Sequence, residues 1–176
     1  MKMIISGFAL SLNLLSFYNT FAQDTINWRS DYKLKWGDFQ GKPVMASKYK
    51  AITVADVKGS LSYNSSSFSV IVTCSFDKNK SWTNSCDSLG LAHEQGHFDI
   101  AEVFARKLRR TLKLYVFSPK TIETNYKRVF SEMKTERKAF NDLYDTQTNF
   151  SRNRSKQIYW NKKILAELKK LEAYAQ

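Results

Sequence analysis

Residues 88–112 read SLGLAHEQGHFDIAEVFARKLRRTL, and the fold turns on this stretch. Leu89, His93, His97, Ile100 and Phe104 recur every three or four residues, and Ala101, Leu108 and Leu112 extend the same side. That period predicts an α-helix with one apolar face starting at about Ser88. His93 and His97, the only two histidines of the chain, stand one helical turn apart on that inward face. With Glu94 between them they spell H-E-x-x-H, in which two imidazoles reach one metal and the glutamate serves as general base. Glu94 lies roughly 100° around the helix from His93, close enough to work on a metal-bound water. A buried imidazole needs a partner, and a metal is one.

Upstream of this helix the period is two. Phe68, Val70, Val72, Cys74 and Phe76 alternate with Ser67, Ser69, Ile71, Thr73 and Ser75, which predicts a half-buried strand. The apolar run from Ala51 to Val57, continued by Leu61 and Tyr63, predicts its partner across a Ser-rich turn at residues 64–67. Downstream, Ser118-Pro119 reads as an N-cap followed by proline at the first helical position. Ile122, Tyr126, Val129, Met133, Phe140 and Tyr144 mark the stripe of a second long helix. Trp160, Ile164, Leu168 and Leu171 mark a third, from about Ser155. The expected class is α+β: a small N-terminal antiparallel sheet followed by three helices, zincin-like, with the H-E-x-x-H helix in the core.

The 176 residues fit one domain, and 43% hydrophobic content excludes general disorder. Residues 1–22 have the layout of a signal peptide: Lys2, an apolar stretch from Ile4 to Phe17, and Thr20-Phe21-Ala22 before the cut. The mature domain is then 23–176, exported to the periplasm or the extracellular space, with no transmembrane span. Export also argues against a nucleic-acid partner. In an oxidising compartment Cys74 and Cys86 are expected to pair, closing a loop worth on the order of 3 kcal/mol. The net charge of +12 is uneven, because residues 104–176 hold 18 of the 28 Lys and Arg but only 7 of the 16 Asp and Glu. Such a basic half suits anionic envelope polymers.

A catalytic zinc takes three protein ligands and keeps one position open. The extended motif with a third histidine fails here, because Val103 stands in its place. Asp99 and Glu102 are expected to point away, as surface or supporting carboxylates. With no histidine left, the third ligand is a carboxylate, a cysteine or a water. Helical phase singles out Glu136, about 40° from Ile122 and inside the apolar stripe of the second long helix.

The chain resembles a family of predicted secreted bacterial zinc proteases. The resemblance rests on residues 36–43 (WGDFQGKP), Ala51-Ile52-Thr53, the run from Phe76 to Trp82, residues 93–100 with Ala105-Arg106-Lys107, residues 144–148 (YDTQT), and Gln157 with Trp160. The family pattern has a histidine two residues after Thr148, where this chain has Phe150. The resemblance therefore leaves Asp145 or Glu136 as the third zinc ligand. It implies a zinc metallopeptidase in which His93 and His97 bind Zn2+ and Glu94 activates the water that hydrolyses a peptide or protein substrate. The basic helices and Phe150 support a second reading, a catalytically impaired zincin-like envelope protein that binds anionic polymers or a protein partner.

Overall fold

The computed structural model describes residues 24–44, 47, 49–84, 87–116 and 118–176. The signal-peptide expectation, residues 1–22, lies outside them. Cys86 also lies outside them, and with it the expected bridge to Cys74.

The first half is built from antiparallel strands. β1 (Thr25–Asn27), β3 (Ala55–Tyr63) and β4 (Phe68–Asp77) form a sheet in the order β1-β4-β3. β3 and β4 make the expected hairpin, in register from Ala55 opposite Phe76 to Tyr63 opposite Phe68. Asn64 makes the turn: its Oδ1 accepts the backbone N–H of Ser66 and of Ser67, each at 2.8 Å. β2 (Ala51–Ile52) pairs separately with β5 (Trp82–Thr83). Alternation along β4 sends Val72, Cys74 and Phe76 into the core and leaves Ile71 59% exposed. Burial raises the Cys74 thiol pKa well above its usual value.

Three helices follow: α1 (Ser88–Lys113), α2 (Ile122–Thr148) and α3 (Arg154–Lys170), then a 3-10 turn at Glu172–Tyr174. Asp87 caps α1 by accepting the Gly90 N–H at 2.6 Å, and Asn153 caps α3 by accepting that of Lys156 at 3.1 Å. The start of α2 differs from the expectation at Ser118-Pro119. The Ser118 carbonyl accepts the N–H groups of Thr121 and Ile122 at 3.1 and 3.0 Å, so a separate turn forms first and Thr121 occupies the cap position.

α1 is the central element. One side packs on the sheet through Phe98, Ala101, Ala105 and Leu108 against Val72 and Phe76. The other packs through Ile100, Val103 and Phe104 against Tyr144, Trp160, Ile164 and Leu168. Residues 100–106 are all buried, which corrects the placement of Glu102 as a surface or supporting group. Its Oε1 accepts from Arg106 Nε and Arg109 Nη1, both at 2.9 Å, while Arg106 Nη1 donates to the Leu168 carbonyl at 2.7 Å. Such a charge can be buried because it is paired and hydrogen-bonded. Asp99 is half-buried and accepts from Trp28 Nε1 and Gln95 Nε2, each at 2.8 Å, tying the N-terminal segment to α1. Among the described residues, no helix is long and apolar enough to cross a membrane.

Candidate metal centre

His93 and His97 leave α1 one turn apart, and their Nε2 atoms come to 3.3 Å of each other. Asp145, from α2, completes a triangle: its Oδ1 lies 3.1 Å from each Nε2. Three donors spaced in this way outline three corners of a tetrahedron. For metal–ligand bonds of about 2.0–2.2 Å the tetrahedral edge is roughly 3.3–3.6 Å, within a few tenths of an ångström of these separations. Asp145 Oδ1 is buried, yet it has no hydrogen-bond partner among the described residues. The donors thus meet at a shared point without pairing off, and the residues fit a metal.

The other side of each ring fixes its tautomer. Asn141 Nδ2 donates to the Arg137 carbonyl at 3.0 Å, which turns the Asn141 Oδ1 toward His97 Nδ1 at 2.7 Å. An amide oxygen only accepts, so His97 carries its proton on Nδ1. Gln157 is set by the same logic. Its Nε2 donates to Asn161 Oδ1 at 2.8 Å and to the Tyr144 hydroxyl at 2.6 Å, and its Oε1 faces His93 Nδ1 at 3.1 Å. Thr148 Oγ1, which donates to the Tyr144 carbonyl at 2.7 Å, sits 3.4 Å from the same nitrogen. In the neutral rings both Nε2 lone pairs are therefore left bare toward Asp145. Orientation of this kind is the usual support of a metal-binding histidine. Replacing Asn141 by Leu should lower metal-ion affinity by about 10- to 100-fold with the fold intact, measured by competition with a chromophoric chelator.

With a proton on Nε2 in place of a metal ion, the same contacts become donors: burial alone would raise the Asp145 carboxyl, but hydrogen bonds from the two imidazoles hold it well below the usual carboxylate range. Burial disfavours charge on His97, and Asp145, Glu94 and Asn141 outweigh it, so the imidazole is raised overall. Glu94 is 6% exposed, and its Oε2 has no hydrogen-bond partner among the described residues. Its backbone carbonyl accepts from Thr53 Oγ1 at 3.3 Å, so α1 is anchored beside β2 at this residue. His93, Glu94, His97 and Asp145 all line one cleft of about 1050 Å³, walled by residues 49–53 on one side and by α2 on the other.

Gly96 explains itself here. Tyr144 stacks on His93 with ring centroids 4.6 Å apart and donates from its hydroxyl to the His93 carbonyl at 3.1 Å. A Cβ on residue 96 would overlap the Tyr144 hydroxyl and ring. Gly96→Ala should cost about 1–3 kcal/mol as overpacking, read from the urea midpoint, and Tyr144→Phe in the same chain should recover part of it.

The residues expected from sequence divide clearly. His93, Glu94, His97 and Asp145 meet in one place. Glu136 does not join them, because it is exposed on α2. The buried positions Ile122, Val129, Tyr144 and Thr148 centre the inward face on the far side of Ile122 from Glu136, leaving Glu136 roughly 65° off that centre. Taking Ile122 alone as the origin placed it inside. Phe150 contributes no donor. It sits at the cleft rim, 37% exposed, edge-on to Tyr49 at 5.7 Å, within a run of positive φ at Asn149, Phe150 and Ser151. Sequence reasoning missed Asn141 as the partner of His97. Its place one turn before Asp145 on the predicted helix was the available signal.

No curated protein and no solved structure matches the chain. A family model described as "Bacterial protein of unknown function (DUF922)" matches residues 17–152, which include the sheet, α1, α2 and all four residues of the centre. The chain therefore belongs to this bacterial family of unknown function.

Proposed function

We propose that the protein is an exported zinc-dependent peptidase with a zincin-like core. The observation that carries this reading is the convergence of His93 Nε2, His97 Nε2 and Asp145 Oδ1 at 3.1–3.3 Å, beside the unpartnered Glu94 carboxylate. Two imidazoles and a carboxylate also suit ferrous iron. The buried Glu94 favours hydrolysis, which needs a base at this place and which oxygen chemistry does not. A bound Zn2+ would polarise the scissile carbonyl and make water more acidic.

The chain's own residues supply the rest. Glu94, held in a poorly solvated position, takes a proton from the attacking water and delivers it to the leaving amine. Asn141 and Gln157 keep the two imidazoles in the Nδ1-protonated form. Asp145 adds negative charge to the donor set, and α2 closes the cleft opposite β2. The apolar N-terminal stretch, residues 4–17, supports export. The second reading, an impaired envelope protein, drew on Phe150 in place of a histidine. The position of Asp145 between the two imidazoles weighs against it.

Metal analysis of the purified protein, with peptide cleavage by wild type and by Glu94→Gln, tests the proposal. One zinc per chain and cleavage that depends on Glu94 support it. Stoichiometric iron, or a folded protein that takes up no zinc at micromolar concentration, overturns it.

A further inference from the structure

Asp145 belongs to a second, polar stripe along α2. Ser131, Lys134, Lys138, Asn141 and Asp145 follow one another at three- or four-residue steps, and all line the cleft. This stripe lies beside the apolar one and carries cations leading up to the centre. Arg137 joins it from the stripe edge, its Nη1 donating to the Ala55 carbonyl at 3.1 Å. Lys50 and Arg152 add cations from the strand side and from the turn after α2.

The cleft thus has five basic residues, Lys50, Lys134, Arg137, Lys138 and Arg152, against Asp87, Glu94 and Asp145. Two of those three carboxylates belong to the centre itself, where a bound dication would offset them. Lys138 is occupied by Asp142 at 2.6 Å. Among the described residues Lys50, Lys134, Arg137 and Arg152 form no salt bridge, although α2 itself carries Glu132, Glu136 and Asp142. Arg137 stands two helical turns from Asp145, about 12 Å along the axis, which an extended peptide covers in three to four residues. The opposite wall suits a peptide backbone. β2 pairs with β5 on one edge, and no described strand pairs on the other.

Resting on the peptidase reading, we propose that this cleft selects acidic peptides: chains carrying Glu or Asp within about three or four positions of the scissile bond, held by Lys134, Arg137 and Arg152. The peptide is preferred to other polyanions because the cleft combines its cations with an unpaired strand edge.

Binding is measured with zinc-loaded Glu94→Gln protein, which separates recognition from turnover. The probes are fluorescein-labelled octapeptides with a central Ala-Phe bond flanked on both sides by Glu, by Gln or by Lys. The Glu peptide is expected to bind at least about tenfold tighter than the Gln peptide, with the difference shrinking as salt is raised. In Lys134→Glu/Arg152→Glu, whose fold is checked by circular dichroism, the order should invert toward the Lys peptide. Equal or tighter binding of the Gln peptide overturns the proposal. So does a Glu preference that survives the double substitution, or tighter binding of dextran sulfate than of the Glu peptide. Wild-type cleavage of the same peptides is scored separately. Acidic preference without Glu94-dependent cleavage defeats the peptidase reading and leaves the selection of acidic peptides standing, whereas cleavage without preference does the reverse.

Discussion

Glu94→Gln is expected to lower peptide hydrolysis by about 10²- to 10⁴-fold, the usual contribution of a positioned general base. Zinc content should stay at the wild-type level, since the three converging donors are His93, His97 and Asp145. The substitution is nearly isosteric, so packing beside β2 and the Thr53 contact to the Glu94 carbonyl should survive. Position decides the size of the effect. A buried carboxylate oxygen with no other partner among the described residues is free to take a proton from a water beside the donor set, and an amide cannot. Steady-state kinetics together with metal analysis on the same preparation checks both halves. Equal loss of zinc and activity would make Glu94 part of the metal's support, and unchanged activity would remove it from the chemistry.

Asp145→Ala should abolish most of the stabilisation that the proposed zinc site is expected to give when zinc is added. A ligand that binds only the folded state at about 1,000 times its Kd adds about 4 kcal/mol. For a chain of this length that corresponds to a rise in Tm of roughly 8–16 °C. With Asp145 gone, two neutral imidazoles remain, and the rise should fall to a few degrees at the same zinc concentration. Glu136→Ala is the matched control. Its side chain is exposed, so it should keep the full rise. Differential scanning calorimetry with and without zinc reads both variants. A full rise in Asp145→Ala, or its loss in Glu136→Ala, would reassign the third ligand.

The fold was legible wherever one face of an element is buried. The alternation of β4 and the stripe of α1 each follow from a burial requirement that leaves a local record in sequence. The β3–β4 hairpin and the presence of three helices match expectation for that reason. At the centre, His93, Glu94 and His97 were legible because one turn of one helix holds them. The third ligand was not, because it depends on where α2 crosses α1, which no local period encodes. Glu136 and Asp145 lie nine residues apart on the same helix, and only the packing of Tyr144 against His93 and Gly96 selects between them. The start of α2 was misplaced because a proline that could open a helix instead lies in the turn before it. Glu102 was misplaced because its arginine partners lie four and seven residues on, and their burial comes from α3 and β4.

The contact between Gln157 and His93 reaches past the family match, which ends at residue 152. A fragment trimmed at that boundary would keep all three converging donor atoms. Its His93 ring would still lose the amide that stops it from turning, and Ile100, Val103 and Phe104 would lose the cover of Trp160, Ile164 and Leu168. The family match therefore ends before the packed unit does. Hydrogen exchange should place the amides of α3 in the same slowly opening group as those of α1, so that the last helix unfolds with the centre rather than ahead of it.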